Sequence, residues 1–211
     1  MRIFAEGELS TALDAHRTAL RNEIRSENKN KLLNVNEADY IDYLAEKYSI
    51  DEIEIYSDRV TVSAAEELIP AEYFPHDFHV YQGKSYPKQV VTYHLPFSGD
   101  SKWLRLRPSS WIMWSRDVAI SGNAITFKVI DWRNDAAVIK READHDINTI
   151  VGQCANVNTE IRTYNAGLRH FAKQIFDARK SELLKQHDVL SQLGVPVHPA
   201  AMFRPPFRFL L

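Results

Sequence analysis

Apolar and polar positions along this chain change period three times, and each change predicts a different element. Between residues 8 and 28, Leu9, Leu13, His16, Leu20 and Ile24 recur at steps of three and four with no Pro or Gly inside, which predicts a helix. A second helix is predicted after Asn36, which can cap the run EADYIDYLAEKYS; its acids lie in the first turns, where the helix dipole favours them. EIEIYSDRVTVSA then alternates apolar and polar residues on either side of Ser57-Asp58, the pattern of two paired strands. From 69 to 130 the chain reads as β-rich. Prolines 70, 75, 87, 96 and 108 punctuate apolar runs such as QVVTYHLPF, SWIMW and AITFKVI. Ser98-Gly99-Asp100 and Ser121-Gly122-Asn123 read as turns. Trp103, Trp111, Trp114 and Trp132 bracket the region and are expected to supply its core.

After Asn134 the period becomes helical again. Ala143, Ile147, Ile150, Cys154, Val157, Ile161, Tyr164, Leu168, Phe171, Ile175 and Ala178 alternate steps of four and three, a heptad seam; Lys140, Glu182 and Lys185 interrupt it at the ends. An unbroken helix here would be roughly 80 Å long at about 1.5 Å per residue, so its seam needs a partner helix. A break near Asn156-Val157-Asn158 or Asn165-Ala166-Gly167 would make an antiparallel hairpin. Otherwise the helix pairs with its copy in a second chain. The second arrangement is favoured, because no turn residue stronger than Gly167 interrupts the run.

The resulting expectation is an α+β protein with two N-terminal helices, an antiparallel β-layer from about 52 to 130, and a long C-terminal coiled-coil helix or helical hairpin. Residues 1–133 are expected to form the α+β domain, 134–193 the coiled-coil segment and 194–211 an apolar tail, which docks on the β-layer, binds a partner as an extended peptide or is simply a tail. A homodimer is expected, with Ile147, Ile150, Cys154, Val157, Ile161, Tyr164, Leu168, Phe171 and Ile175 at its interface.

Composition adds limits. Apolar residues make up 45% and charged residues 26% of the 211-residue chain, which suits a folded domain. A single cysteine excludes an internal disulfide and points to a reducing cytoplasm. Neither an export signal nor a membrane span is expected from the sequence. Charge is unevenly placed. Residues 37–72 carry eleven acids against Lys47 and Arg59, whereas 84–116 carry Lys84, Lys88, Lys102, Arg105, Arg107 and Arg116 against Asp100 alone. Compensation between the two stretches is the expected outcome.

Candidate chemistry is sparse. His76, His79 and His94 could in principle ligate a metal, the first two in FHVYQ and its approach, the third in QVVTYHL, read as a hairpin around GKSYPK. Residues 76 and 79 diverge on a strand, however, and no HExxH, HxH or CxxC is present. GxSxG, GxxxxGK[ST] and GxGxxG are likewise missing. No catalytic residue and no cofactor is therefore expected. Lys84, Lys88, Lys102, Arg105, Arg107 and Arg116 interleave with Tyr86, Trp103, Trp111 and Trp114, the mixture a nucleic-acid-binding sheet needs for phosphates and bases. That is the alternative to a non-catalytic interaction and oligomerisation module.

GELSTALDAHR (7–17), IPAEYFP (69–75), GKSYPKQVVTYHLPFSGD (83–100), RPSSW (107–111), DWRNDAAVIKREAD (131–144) and LGVP (193–196) together resemble an uncharacterised N-terminal region of bacterial proteins. The C-terminal halves of those proteins are similar to PD-(D/E)XK nuclease-like or other effector domains. The resemblance implies a recognition or regulatory module, within antiviral defence, with any effector activity on a separate chain. It supplies no catalytic residues.

Overall fold

A computed structural model describes residues 3–114 and 116–192, with only the helix backbone described for 187–192; the expected tail at 194–211 lies outside them. The fold is α+β. Three N-terminal helices, α1 (Leu9–Ser26), α2 (Lys29–Asn34) and α3 (Glu37–Lys47), precede five strands: β1 (Glu54–Ile55), β2 (Thr61–Pro70), β3 (Ser85–Ser98), β4 (Val118–Ser121) and β5 (Ala124–Ile130). One helix, α4 (Ala136–Gln192), follows them. The short α2 was not expected from periodicity. Asn28 creates it by accepting from the Asn30 and Lys31 N–H groups (2.9 and 3.4 Å). Asn36 caps α3 as expected, accepting from Ala38 N–H at 3.1 Å.

Two compact units emerge, and neither is bounded at 133; the expected boundary at 193 lies outside the described residues. Among the described residues the first comprises 3–16 and 49–166, the second 17–48 and 167–192. α1 and α4 each contribute one part to either unit, so the long helix is not a separate coiled-coil domain.

In the first unit the antiparallel sheet is organised by β3. β1 and β2 pair along one side of it, β5 along the other, and β4 lies beyond β5. Hence the two strands expected to pair around Ser57-Asp58 do not pair with each other; each pairs with β3. The β4–β5 hairpin turns at Gly122 (φ 57°), the first of two loop residues, where a tight hairpin needs a left-handed backbone. Gly99 (φ 100°) is also required, since a Cβ there would lie 2.9 Å from the Glu52 carbonyl oxygen. Leu95, Phe97, Ile125, Phe127 and Val129 are buried, and the Tyr93 and Phe127 rings stack at 5.3 Å. Of the four tryptophans only Trp103 is core; Trp111 is exposed and Trp114 and Trp132 are half-buried. Trp132 instead joins Phe74, Phe78 and Tyr86 in a small aromatic cluster.

The second unit is helical. Leu20, Ile24, Leu32, Tyr40, Ile41 and Leu44 are buried there, as are Leu168, Ala172, Phe176 and Leu183 of α4. Tyr40 and Phe176 approach to 5.9 Å, Lys173 Nζ lies 2.7 Å from Glu37, and Arg169 lies 3.1 Å from Asp42.

No break occurs in α4 at either asparagine cluster, so the hairpin alternative does not hold. Asn158 and Asn165 have another use. Each forms a closed pair of hydrogen bonds with a passing backbone: Asn158 accepts from Ile53 N–H (2.9 Å) and donates to Ile53 O (2.7 Å), and Asn165 does the same at Ile50 (3.0 and 2.8 Å).

Candidate interaction surface

The sheet-like pairing before the run SWIMW ends at Arg107, which bridges to Glu8, and that run, read from its apolar content as part of the β-layer, forms no strand. It is an extended strap along α4 within the first unit. Ser109 N–H donates to Glu160 Oε1 (2.5 Å), Asn156 Nδ2 to Ser110 O (2.8 Å), and Gln153 Nε2 to Ile112 O (3.0 Å). Trp114 Nε1 donates to Asp146 Oδ1 at 3.0 Å. Residues 160, 156, 153 and 146 are separated by four, three and seven, so one face of the helix supplies all four anchors. The strap lacks a sheet partner because polar helix side chains satisfy its backbone instead.

Anchoring the backbone inward leaves apolar side chains outward. Met113 is 90% exposed, Ile112 60% and Trp111 42%. Arg107 stands over the Trp111 ring at 5.0 Å and is ion-paired with Glu8. Beneath the strap lies a cavity of ≈ 390 Å³ lined by Phe4, Arg107, Trp111, Ile112, Met113, Trp114 and Gln153 among others. On the α4 side a second hollow of ≈ 480 Å³ is lined by Ile112, His145, Asn148, Thr149, Gly152, Gln153 and Asn156. Gln153 is only 2% exposed, and its Oε1 has no hydrogen-bond partner among the described residues. Exposed tryptophan and methionine beside an arginine is the composition of protein interfaces rather than of solvated surface.

The strap ends in a buried charge. Asp146 is 3% exposed, and Arg116 Nε lies 3.1 Å from its Oδ2. The same guanidinium donates to Glu142 (2.7 Å) and to Lys128 O (2.7 Å), joining α4 to β5.

The residues singled out in the sequence are placed otherwise than expected. Seam positions Ile150, Cys154, Val157, Ile161, Tyr164 and Leu168 are each at most 3% exposed in a single chain, and Ile147, Phe171 and Ile175 are half-buried. The chain covers its own seam. Beyond Leu168 the buried positions step by four to Ala172 and Phe176 while Ala178 is exposed, the drift of a straight helix rather than a supercoiled one. Burial pushes the Cys154 thiol up to about 12.

The basic set is largely engaged within the fold. Lys102 pairs with Asp100 (2.8 Å), Arg105 with Glu6 (3.4 Å), Arg107 with Glu8 and Arg116 with Glu142 and Asp146. Lys88 donates to Trp132 O at 2.9 Å, and Lys84 stands over Tyr81 at 5.3 Å. Compensation is thus internal, but not between the two stretches expected. The acidic segment finds Lys128, Arg162, Arg169 and Lys173 instead, at Glu67, Glu52, Asp42 and Glu37.

The three histidines do not converge. His94 is on β3, its Nε2 3.0 Å from Ser63 Oγ, whereas His76 and His79 are exposed in the connection from β2 to β3. FHVYQ is not a strand, since β2 takes the place beside β3 that the expected hairpin assigned to it. No group of three His, Cys, Asp or Glu among the described residues could hold a metal ion. No helix among them is long and apolar enough to cross a membrane. Comparison of the chain with protein-family models, curated proteins and solved structures gives no match.

Proposed function

We propose that this protein is a non-catalytic interaction module whose partner-binding surface is the strap Trp111-Ile112-Met113 with the cavity beneath it. The observation that carries this reading is the combination of a backbone fixed by three helix side chains, with a fourth holding the Trp114 ring, and three consecutive apolar side chains left in water. A pre-ordered strap loses little conformational freedom on binding, so its apolar area converts efficiently into affinity. The partner is a protein surface offering an apolar side chain to the ≈ 390 Å³ cavity and polar groups to His145 and Asn148 in the neighbouring hollow. The resemblance to a bacterial recognition region supports the same class. A cytoplasmic setting fits a chain with one buried cysteine.

Self-association through the heptad seam would require unpacking residues that are buried in one chain, so it needs another surface. Nucleic-acid binding through the 84–116 strands is the weaker reading, because its arginines already have carboxylate partners.

Panning a random-peptide library on the protein tests the proposal. Selected peptides should carry an apolar anchor and lose at least about tenfold in affinity when Trp111→Ala and Met113→Ser are combined, as truncating an interface anchor does. Binders indifferent to both substitutions would overturn it.

A further inference from the structure

Strand β2 is an edge. It pairs with β3 alone among the described residues, and residues 61–66 are all exposed. Its free side is long and not blunted: no proline interrupts it before Pro70, no lysine lies on it, and Val62 and Leu68 are 58% and 71% exposed. Such an edge presents a row of unpaired N–H and C=O groups.

The hydrogen-bond phase says which residues present them. The β2–β3 register extends to Ala71, whose N–H donates to Lys84 O at 2.9 Å. On the far side of β3, Asp131 N–H donates to Gln89 O at 2.8 Å, so Gln89 turns to β5 and Val90, opposite Ala65, turns to β2. Since hydrogen-bonded pairs alternate, Ser63, Ala65, Glu67 and Ile69 direct their backbone groups at β3. Val62, Ala64, Glu66 and Leu68 direct theirs outward. These four also share one face of the strand, by the two-residue side-chain period.

We propose that β2 pairs antiparallel with β2 of a second copy of this chain, about a two-fold axis at Ala65. This register sets Val62 opposite the partner's Leu68 and Ala64 opposite the partner's Glu66, with the reciprocal pairs generated by symmetry. All four are outward-facing residues, so each pair can exchange two backbone hydrogen bonds, about eight in all. The two exposed apolar side chains of the strand then cover each other. Neighbouring registers do worse. An axis at Glu66 places that carboxylate opposite its own copy, and an axis at Ala64 sets Leu68 opposite the partner's Val60, outside the strand. The pairing involves neither the strap nor the seam, so the dimer does not rest on the function proposed above.

Light scattering across a dilution series, with two variants, tests it. The wild type should tend to twice 24.3 kDa. Ala64→Pro removes only an outward N–H, which an edge strand tolerates, and should give 24.3 kDa with an unchanged circular dichroism spectrum. Ala65→Cys should form a covalent dimer on mild oxidation, because Cα atoms of a non-hydrogen-bonded pair lie about 4.5 Å apart, within disulfide reach. The native thiol, Cys154, is buried and does not compete. A monomeric wild type at every concentration, a dimer insensitive to Ala64→Pro, or absence of the Ala65→Cys cross-link would each overturn the proposal. Should Ala64→Pro unfold, the cross-link alone decides. Trp111→Ala with Met113→Ser should leave the mass unchanged, so failure of the strap reading is seen separately.

Discussion

Asn165 holds Ile50 by both of its backbone groups: the amide oxygen accepts from Ile50 N–H at 3.0 Å and the amide nitrogen donates to Ile50 O at 2.8 Å. One helix interval of seven residues earlier, Asn158 holds Ile53 the same way. Two helical turns rise about 10.5 Å and three extended residues span about 10 Å, so the repeat on the helix matches the repeat on the strand-like segment. Ile50 and Ile53 are buried, and water cannot replace the asparagines. Asn158→Ala and Asn165→Ala should each cost about 1–3 kcal/mol, the penalty for leaving buried polar groups unpaired. Urea unfolding of the two variants measures it.

The thiol of Cys154 should be inert while the protein is folded. Burial without a compensating charge pushes it up to about 12, so little thiolate exists near neutrality. A disulfide reagent added to native protein should react only at the rate of opening, and at once after addition of denaturant. Rapid native reaction would show that the α4 face carrying Cys154 is open.

His16 makes stability depend on pH. Its ring lies 5.3 Å from Trp103 and 6.4 Å from Tyr164, and burial, then the Lys102 charge, lower its pKa from 6.5. Between the folded value and 6.5 the unfolded chain binds more protons, so stability rises with pH across that interval and is complete above it. Acidification from about pH 7 to about pH 5 should lower the melting temperature of the wild type more than that of His16→Gln, which cannot titrate. Parallel slopes would remove His16 from the account.

Arg116 should matter for folding rather than for binding phosphate. Replacing it with Met strands the buried Asp146 carboxylate and should cost about 3–5 kcal/mol. Replacing Asp146 with Asn as well should recover part of the loss, because an uncharged amide still accepts from Trp114. Chemical denaturation of single and double variants gives the coupling.

What the sequence made legible was period, and period says which face is apolar, not what covers it. The period from Ile150 to Leu168 marks an apolar face and predicts a partner copy for it, whereas one chain's own elements bury it, so the helix needs no copy of itself there. Asparagine inside a helix was ambiguous in the same way. At 156, 158 and 165 it signals a break when judged by propensity and a backbone clamp once a second segment lies alongside. Trp111-Ile112-Met113 carried the composition of a buried strand. Only the polar anchors Gln153 and Asn156, 41 and 46 residues away from the carbonyls they bind, turn it into an exposed strap. No local pattern encodes that distance.

The central claim is that the α4 seam is structural while the strap is presented to a partner, and unfolding free energies of Ile161→Ala and Met113→Ala, measured side by side, test it most directly. Ile161 is 0% and Met113 90% exposed. Ile161→Ala should cost about 2–5 kcal/mol and Met113→Ala no more than about 0.5 kcal/mol. A neutral Ile161→Ala together with a costly Met113→Ala would contradict the account.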